Sequence, residues 1–188
     1  MFKSHPKGLL AAALSNMGER FGYYIMNAVL ALFLCSKFGL AEGQAGLIYS
    51  IFYAGIYILS LVGGFIADKT QNYKGTIMTG LAIMASGYVV LSIPVLATPQ
   101  NSSFLLTVTC LALFLIAFGN GLFKGNLQAI VGQMYDNFEA EEAKKGEEAL
   151  AIAKDKRDSG FQIFYVFINV GGVIAPFVAP LLREWWLK

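Results

Sequence analysis

The sequence has 188 residues, 56% of them hydrophobic and only 14% charged, with a formal net charge of +2. A soluble domain carries about a quarter charged residues, so this balance, with a mean hydropathy of +0.59, points to an integral membrane protein. The small net charge gives no basis for a nucleic-acid partner, and the single histidine with Cys35 and Cys110 makes neither a metal pattern nor a disulfide framework.

In chain order, Lys3 and Lys7 precede the apolar run GLLAAALS in the manner of a signal peptide. The apolar pattern resumes after Arg20 and continues to Cys35, so the segment reads as one uncleaved helix. Five runs are long enough to cross about 30 Å of hydrocarbon, near residues 9–34, 44–67, 75–96, 104–134 and 159–182. The stretches SKFGLAEGQ, DKTQNYKG and TPQNSS are short turns between them. The fourth link, 136–158, is different: 12 of the chain's 26 charged residues lie between Glu139 and Asp158. Its Ala/Glu/Lys composition favours helix where it leaves the membrane, and its charges read as a solvated face.

Lys and Arg set the orientation. With the amino terminus inside, the cytoplasmic segments carry Lys3, Lys7, Lys69, Lys74, Lys144, Lys145, Lys154, Lys156 and Arg157. The outer segments carry only Lys37, Arg183 and Lys188, and Trp185 and Trp186 suit the interfacial aromatic belt. The amino terminus is therefore expected in the cytoplasm.

Three charges fall inside spans: Glu19, Arg20 and Lys124. Each costs roughly 2.5–3.5 kcal/mol at the centre of a bilayer. Counted from the cytoplasmic ends of their helices, Glu19 and Lys124 both lie about 15 Å deep at 1.5 Å per residue. Helices one and four can thus bring them level, and a buried pair is cheaper than isolated charges. Around them, Asn16, Glu19, Arg20, Tyr23 and Asn27 fall within roughly a 100° sector of the first helix. The second helix repeats the stripe with Tyr49, Tyr53, Tyr57, Ser60 and Gly64, and the fifth with Gln162, Tyr165, Asn169, Gly172 and Pro176. Such stripes imply a wet interior or a polar solute site; hydrogen bonding between packed helices is the alternative. GNGLFKG resembles a nucleotide-binding glycine loop but follows a helical run, not a strand. Gly119, Gly121 and Gly125 fit close helix contact better. No nucleophile–base set or metal cluster suggests an enzyme or a cofactor.

Several motifs carry a resemblance. GERFGYY resembles the second half of the E-x-x-E-R-F-x-Y-Y signature of the proton-dependent oligopeptide transporter family, within the major facilitator superfamily. GNGLFKGN is similar to its fourth-helix pattern, FYVFINVGG to its fifth-helix pattern, and GGFIADK to the superfamily's loop between helices two and three. The resemblance implies an all-α integral membrane fold: five transmembrane helices of an incomplete amino-terminal six-helix major-facilitator bundle over 1–188. The sixth helix and a second bundle would lie elsewhere in the same protein. It implies secondary active, proton-coupled uptake of di- and tripeptides across the cell inner membrane. By position, Glu19, Arg20 and Lys124 would couple proton movement, and Arg20, Tyr23, Tyr24, Asn27, Tyr57, Lys124 and Asn169 would line the substrate site. The expected partners are a small peptide or other polar solute, protons and the lipid bilayer.

The sequence departs from the pattern at three positions. Asn16 stands where the family has its first glutamate, Asn27 where it has a second arginine, and Gly125 where it has a proline. These leave two other readings open. One is a facilitator or symporter of a different polar solute; the other is a non-transporting membrane subunit whose charges lock helices together.

Overall fold

Each apolar run forms one α-helix in a computed structural model that describes residues 4–187. The helices are α1 (Leu9–Phe38), α2 (Glu42–Thr70), α3 (Tyr73–Ser92), α4 (Ser102–Ala143) and α5 (Glu147–Leu187). All five are long and apolar enough to cross a membrane, and the fold is all-α. Lys3 and Lys188, used above for orientation, lie outside the described residues, as do the side chains of Arg183 and Trp186. Cys35 and Cys110 are free thiols.

The helix ends differ from the hydropathy runs for physical reasons. α3 stops at Ser92, short of the expected residue 96, because Ile93 precedes Pro94. Proline disfavours helical torsions in the residue before it, and Ile93 is extended at φ −67°, ψ 118°. α4 and α5 instead run past their apolar segments, and the charged link is largely their continuation into water. Ala, Glu and Lys propagate helix without needing a buried face, so only a short turn around Gly146 separates Ala143 from Glu147. In that hairpin Arg157 donates from Nη1 to Asp136 at 2.7 Å and to Glu139 at 3.2 Å. Between α2 and α3, Asn72 caps α3 by accepting from the Gly75 N–H at 2.9 Å.

The chain divides into two compact units. In the unit spanning 29–126, helices meet where side chains are missing. A Cβ added at Gly63 would fall on the backbone of Gly121, and one at Gly80 would lie 2.7 Å from the Gly119 carbonyl oxygen. Asn126, 2% exposed, donates from Nδ2 to the carbonyls of Gly63 (3.0 Å) and Leu122 (2.8 Å). Small residues with an interhelical amide are how helices adhere in lipid, where apolar surface gains nothing by leaving hydrocarbon. Gly119 and Gly121 thus serve the expected close contact. Gly125 does not: it is exposed, with nothing within 4 Å of an added Cβ.

The other unit, residues 1–28 with 127–188, holds the start of α1, the end of α4 and α5. Here α5 approaches α1 closely, since a Cβ on Gly171 would lie 2.5 Å from the Met17 carbonyl oxygen. Leu9, Ala13, Tyr135, Phe164 and Ala175 are fully buried.

Candidate functional site

α1 carries the polar sector read from its periodicity, and all of that sector but the half-buried Asn27 is buried. Asn16, Glu19, Arg20 and Tyr23 are each less than a tenth exposed. Glu19 accepts two hydrogen bonds from its neighbour Arg20, at 2.5 Å from Nε and 2.8 Å from Nη2. This two-pronged contact uses the guanidinium's planar fork and is among the strongest ion-pair geometries. It lowers the cost of holding both charges away from water, although it does not remove the desolvation penalty. The Arg20 guanidinium also lies 4.9 Å from the Tyr23 ring centroid, where the ring's electron-rich face supports positive charge. Tyr23 meets Tyr24 edge-on at 5.3 Å.

Tyr24 turns towards α5. Its ring lies against Gly172, where an added Cβ would sit 3.0 Å from Cε2. That point is one turn along α5 from Asn169, which is exposed together with Gln162, Tyr165 and Pro176. The fifth helix therefore keeps its polar stripe open while its small residues Gly171, Ala175 and Ala179 are buried. One atom on α1 is less well served. Asn27 Oδ1 is shielded from solvent without a hydrogen-bond partner among the described residues, a state that costs about 1–3 kcal/mol for a buried acceptor.

The remaining predicted residues, Tyr57 and Lys124, lie together in the 29–126 unit. Lys124 Nζ stands 4.4 Å from the Tyr57 ring centroid, so α2 and α4 converge as a cation over an aromatic face. The tyrosines of α2 form a ladder at one-turn intervals. Tyr49 and Tyr53 stack with planes 8° apart, and the Tyr53 and Tyr57 hydroxyls share a hydrogen bond of 3.2 Å. Tyr53 and Tyr57 are 42% and 49% exposed. Hydroxyls are poorly matched to hydrocarbon, so this face suits a polar route. A separate groove of about 350 Å³ between α2 and α4, lined by Ile51, Phe52, Gly55, Cys110, Leu113 and Phe114, has no charged anchor and does not suit a charged solute.

Sequence reasoning placed Glu19 level with Lys124 by depth; Glu19 also accepts from Arg20 beside it in the sequence. It also passed over Asn126. The signal there was weak: an asparagine two residues after Lys124 in a glycine-rich stretch says nothing about which helix its amide will reach.

The sequence is similar to known transporters over nearly its whole length. It is 34% identical to a di-/tripeptide transporter of Lactococcus lactis subsp. cremoris across 97% of this chain and 33% of that protein. It is 33% identical to the peptide transporter YePEPT of Yersinia enterocolitica subsp. palearctica, across all of this chain and 32% of that one. Among solved structures, a tetrameric peptide transporter aligns with a TM-score of 0.76 at 29% identity, covering 95% of this chain and 33% of its own. A bacterial homologue of the human drug peptide transporters aligns over the same shares with a TM-score of 0.75. The chain therefore spans about a third of the length of the curated relatives it matches. Buried charges on α1, a lysine over a tyrosine on α4 and α2, and five membrane-length helices all accord with a multi-pass membrane protein of a transporter family. A family model matches residues 74–186, and the chain belongs to the POT family.

Proposed function

We propose that this chain is the first five helices of a proton-coupled importer of di- and tripeptides in the cell inner membrane, with its amino terminus in the cytoplasm. The sixth helix and a second bundle belong to the same longer protein, as the one-third coverage of the relatives supports. The observation that carries the reading is the buried Glu19–Arg20 pair. An ionised Glu19 holds the Arg20 guanidinium. A protonated Glu19 loses the charge that binds it and releases Arg20 to a substrate carboxylate. Lys124, over Tyr57, supplies a second cationic contact, and Tyr23, Tyr24, Tyr57, Asn27 and Asn169 line the substrate path. The Glu19 carboxylate and the peptide carboxylate thus compete for one arginine, and a proton on Glu19 favours the peptide, which links their movements.

In the full-length protein reconstituted in liposomes, Glu19→Gln removes the titrating group. Uptake driven by a proton gradient is expected to fall at least about tenfold, which corresponds to about 1.4 kcal/mol of lost coupling, while exchange of labelled for unlabelled peptide persists. Undiminished concentrative, pH-dependent uptake would overturn the assignment.

The unpartnered Asn27 Oδ1 favours a second reading in which the solute presents an N–H donor there in place of a second carboxylate contact. Competition by neutral amides as effective as that by free dipeptides would select this reading.

A further inference from the structure

The contacts described so far leave the segment before α1 unused. His5 Nδ1 lies 2.7 Å from the Tyr135 hydroxyl, near the end of α4. Tyr135 is fully buried, edge-on to Phe138 at 6.4 Å and tilted over Phe161 at 6.1 Å. Gly160 of α5 leaves the space its phenol fills, for an added Cβ would overlap the Tyr135 hydroxyl. Gly8 does the same for Met134, one residue earlier on α4. Three parts of the chain, distant in sequence, therefore close on one phenol within one compact unit.

We propose that His5 and Tyr135 form a proton-binding latch that ties the start of α1 to α4 and α5 while the imidazole is neutral and releases it on protonation. In the latched form as proposed, the imidazole is the Nε2–H tautomer and the phenol, which keeps its proton at neutral pH, donates to the Nδ1 lone pair. A proton taken from water adds at Nδ1 and removes that lone pair. Both ring nitrogens are then donors: Nδ1–H can only donate to the phenol oxygen, the Tyr135 hydrogen loses its acceptor among the Phe138 and Phe161 rings, and a positive charge is placed beside Lys156.

The surroundings oppose the charged form. From α4 the latch is faced by Tyr135. From α5 it is faced by Lys156, whose Nζ lies 5.7 Å from the Phe138 ring centroid. Burial first, then the Lys156 charge, with the positive amino terminus adding to them, hold His5 below its ordinary 6.5. A histidine lowered on folding stabilises the closed form above pH 6.5, and that contribution is lost as pH falls through the lower folded value. The site uses none of the residues assigned to coupling or substrate, so its test does not depend on the transport reading. That reading adds only which compartment the latch senses, the cytoplasm.

The test uses the full-length protein in lipid nanodiscs with ¹⁵N-labelled histidine, the His5 signal being identified by its loss in His5→Gln. His5 is expected to titrate below pH 6.5, and both Tyr135→Phe and Lys156→Gln to move its midpoint up towards 6.5. Amide exchange of residues 4–14, corrected for intrinsic rates, is expected to rise about five- to tenfold, the scale of one hydrogen bond. That rise appears in wild type between pH 7.5 and 5.5, and already at pH 7.5 in Tyr135→Phe. If Tyr135→Phe does not fold, Lys156→Gln, altered on a half-buried residue, carries the test. A wild-type midpoint at or above 6.5, or exchange that ignores pH, would overturn the latch.

Discussion

The two compact units each hold a membrane-depth charge and satisfy it by different means. In the unit containing the start of α1, Arg20 and Glu19 neutralise one another inside a sector that is less than a tenth exposed. In the 29–126 unit, Lys124 stands over a tyrosine that is half exposed. The first arrangement is a two-pronged contact between opposite charges, which weakens sharply when one member is removed or protonated. The Lys124–Tyr57 contact is graded, because a ring face attracts a cation without a bond to any single acceptor atom.

Substitutions can break this contrast, beginning with the most damaging. Arg20→Leu would strand an ionised Glu19 in a buried position, and breaking one side of such a pair costs about 3–5 kcal/mol. A marked fall in thermal stability in detergent is expected, largely restored when Glu19→Gln is added. Equal losses in the single and double variants would show that Arg20 matters through packing and not through its charge.

Tyr57→Leu should cost less, about 0.5–2 kcal/mol from the lost cation–ring contact. On the proposed function its larger consequence is expected in the full-length protein, as a higher peptide concentration for half-maximal uptake. A stability loss as large as that of Arg20→Leu would erase the distinction between the two sites. Smallest of all is Asn27→Leu. It removes an acceptor that has no partner among the described residues, so unfolding midpoints are expected to stay level or rise slightly. A clear destabilisation would mean that Asn27 is bonded in the longer protein.

Much of this organisation was legible in the sequence. The five helices followed from apolar runs, and the intramembrane charges stood out because lipid makes charge expensive. The helix ends were harder, since hydropathy marks where lipid would begin and end, while Pro94 and the Ala/Glu/Lys link obey backbone rules that operate equally in water. The α1 sector followed correctly from a 100° rotation per residue, but its burial did not. The same construction on α5 selected a stripe that is exposed at Gln162, Tyr165, Asn169 and Pro176. Periodicity identifies a face, not what covers it. Pairings between distant residues, His5 with Tyr135 and Asn126 with Gly63, left no local trace. They depend on which backbones can approach, and hence on glycines whose partners lie on other helices.

The glycine contact of Gly63 with Gly121, closed by the Asn126 amide, contains no group that gains or loses a proton. Its strength comes from backbone proximity and one carboxamide, so acid, alkali and salt leave it unchanged. It forms a seam without charge, unlike the Glu19–Arg20 and Lys124–Tyr57 contacts. The seam is therefore not itself a source of pH dependence, and α2 and α4 should keep this contact through an acid titration.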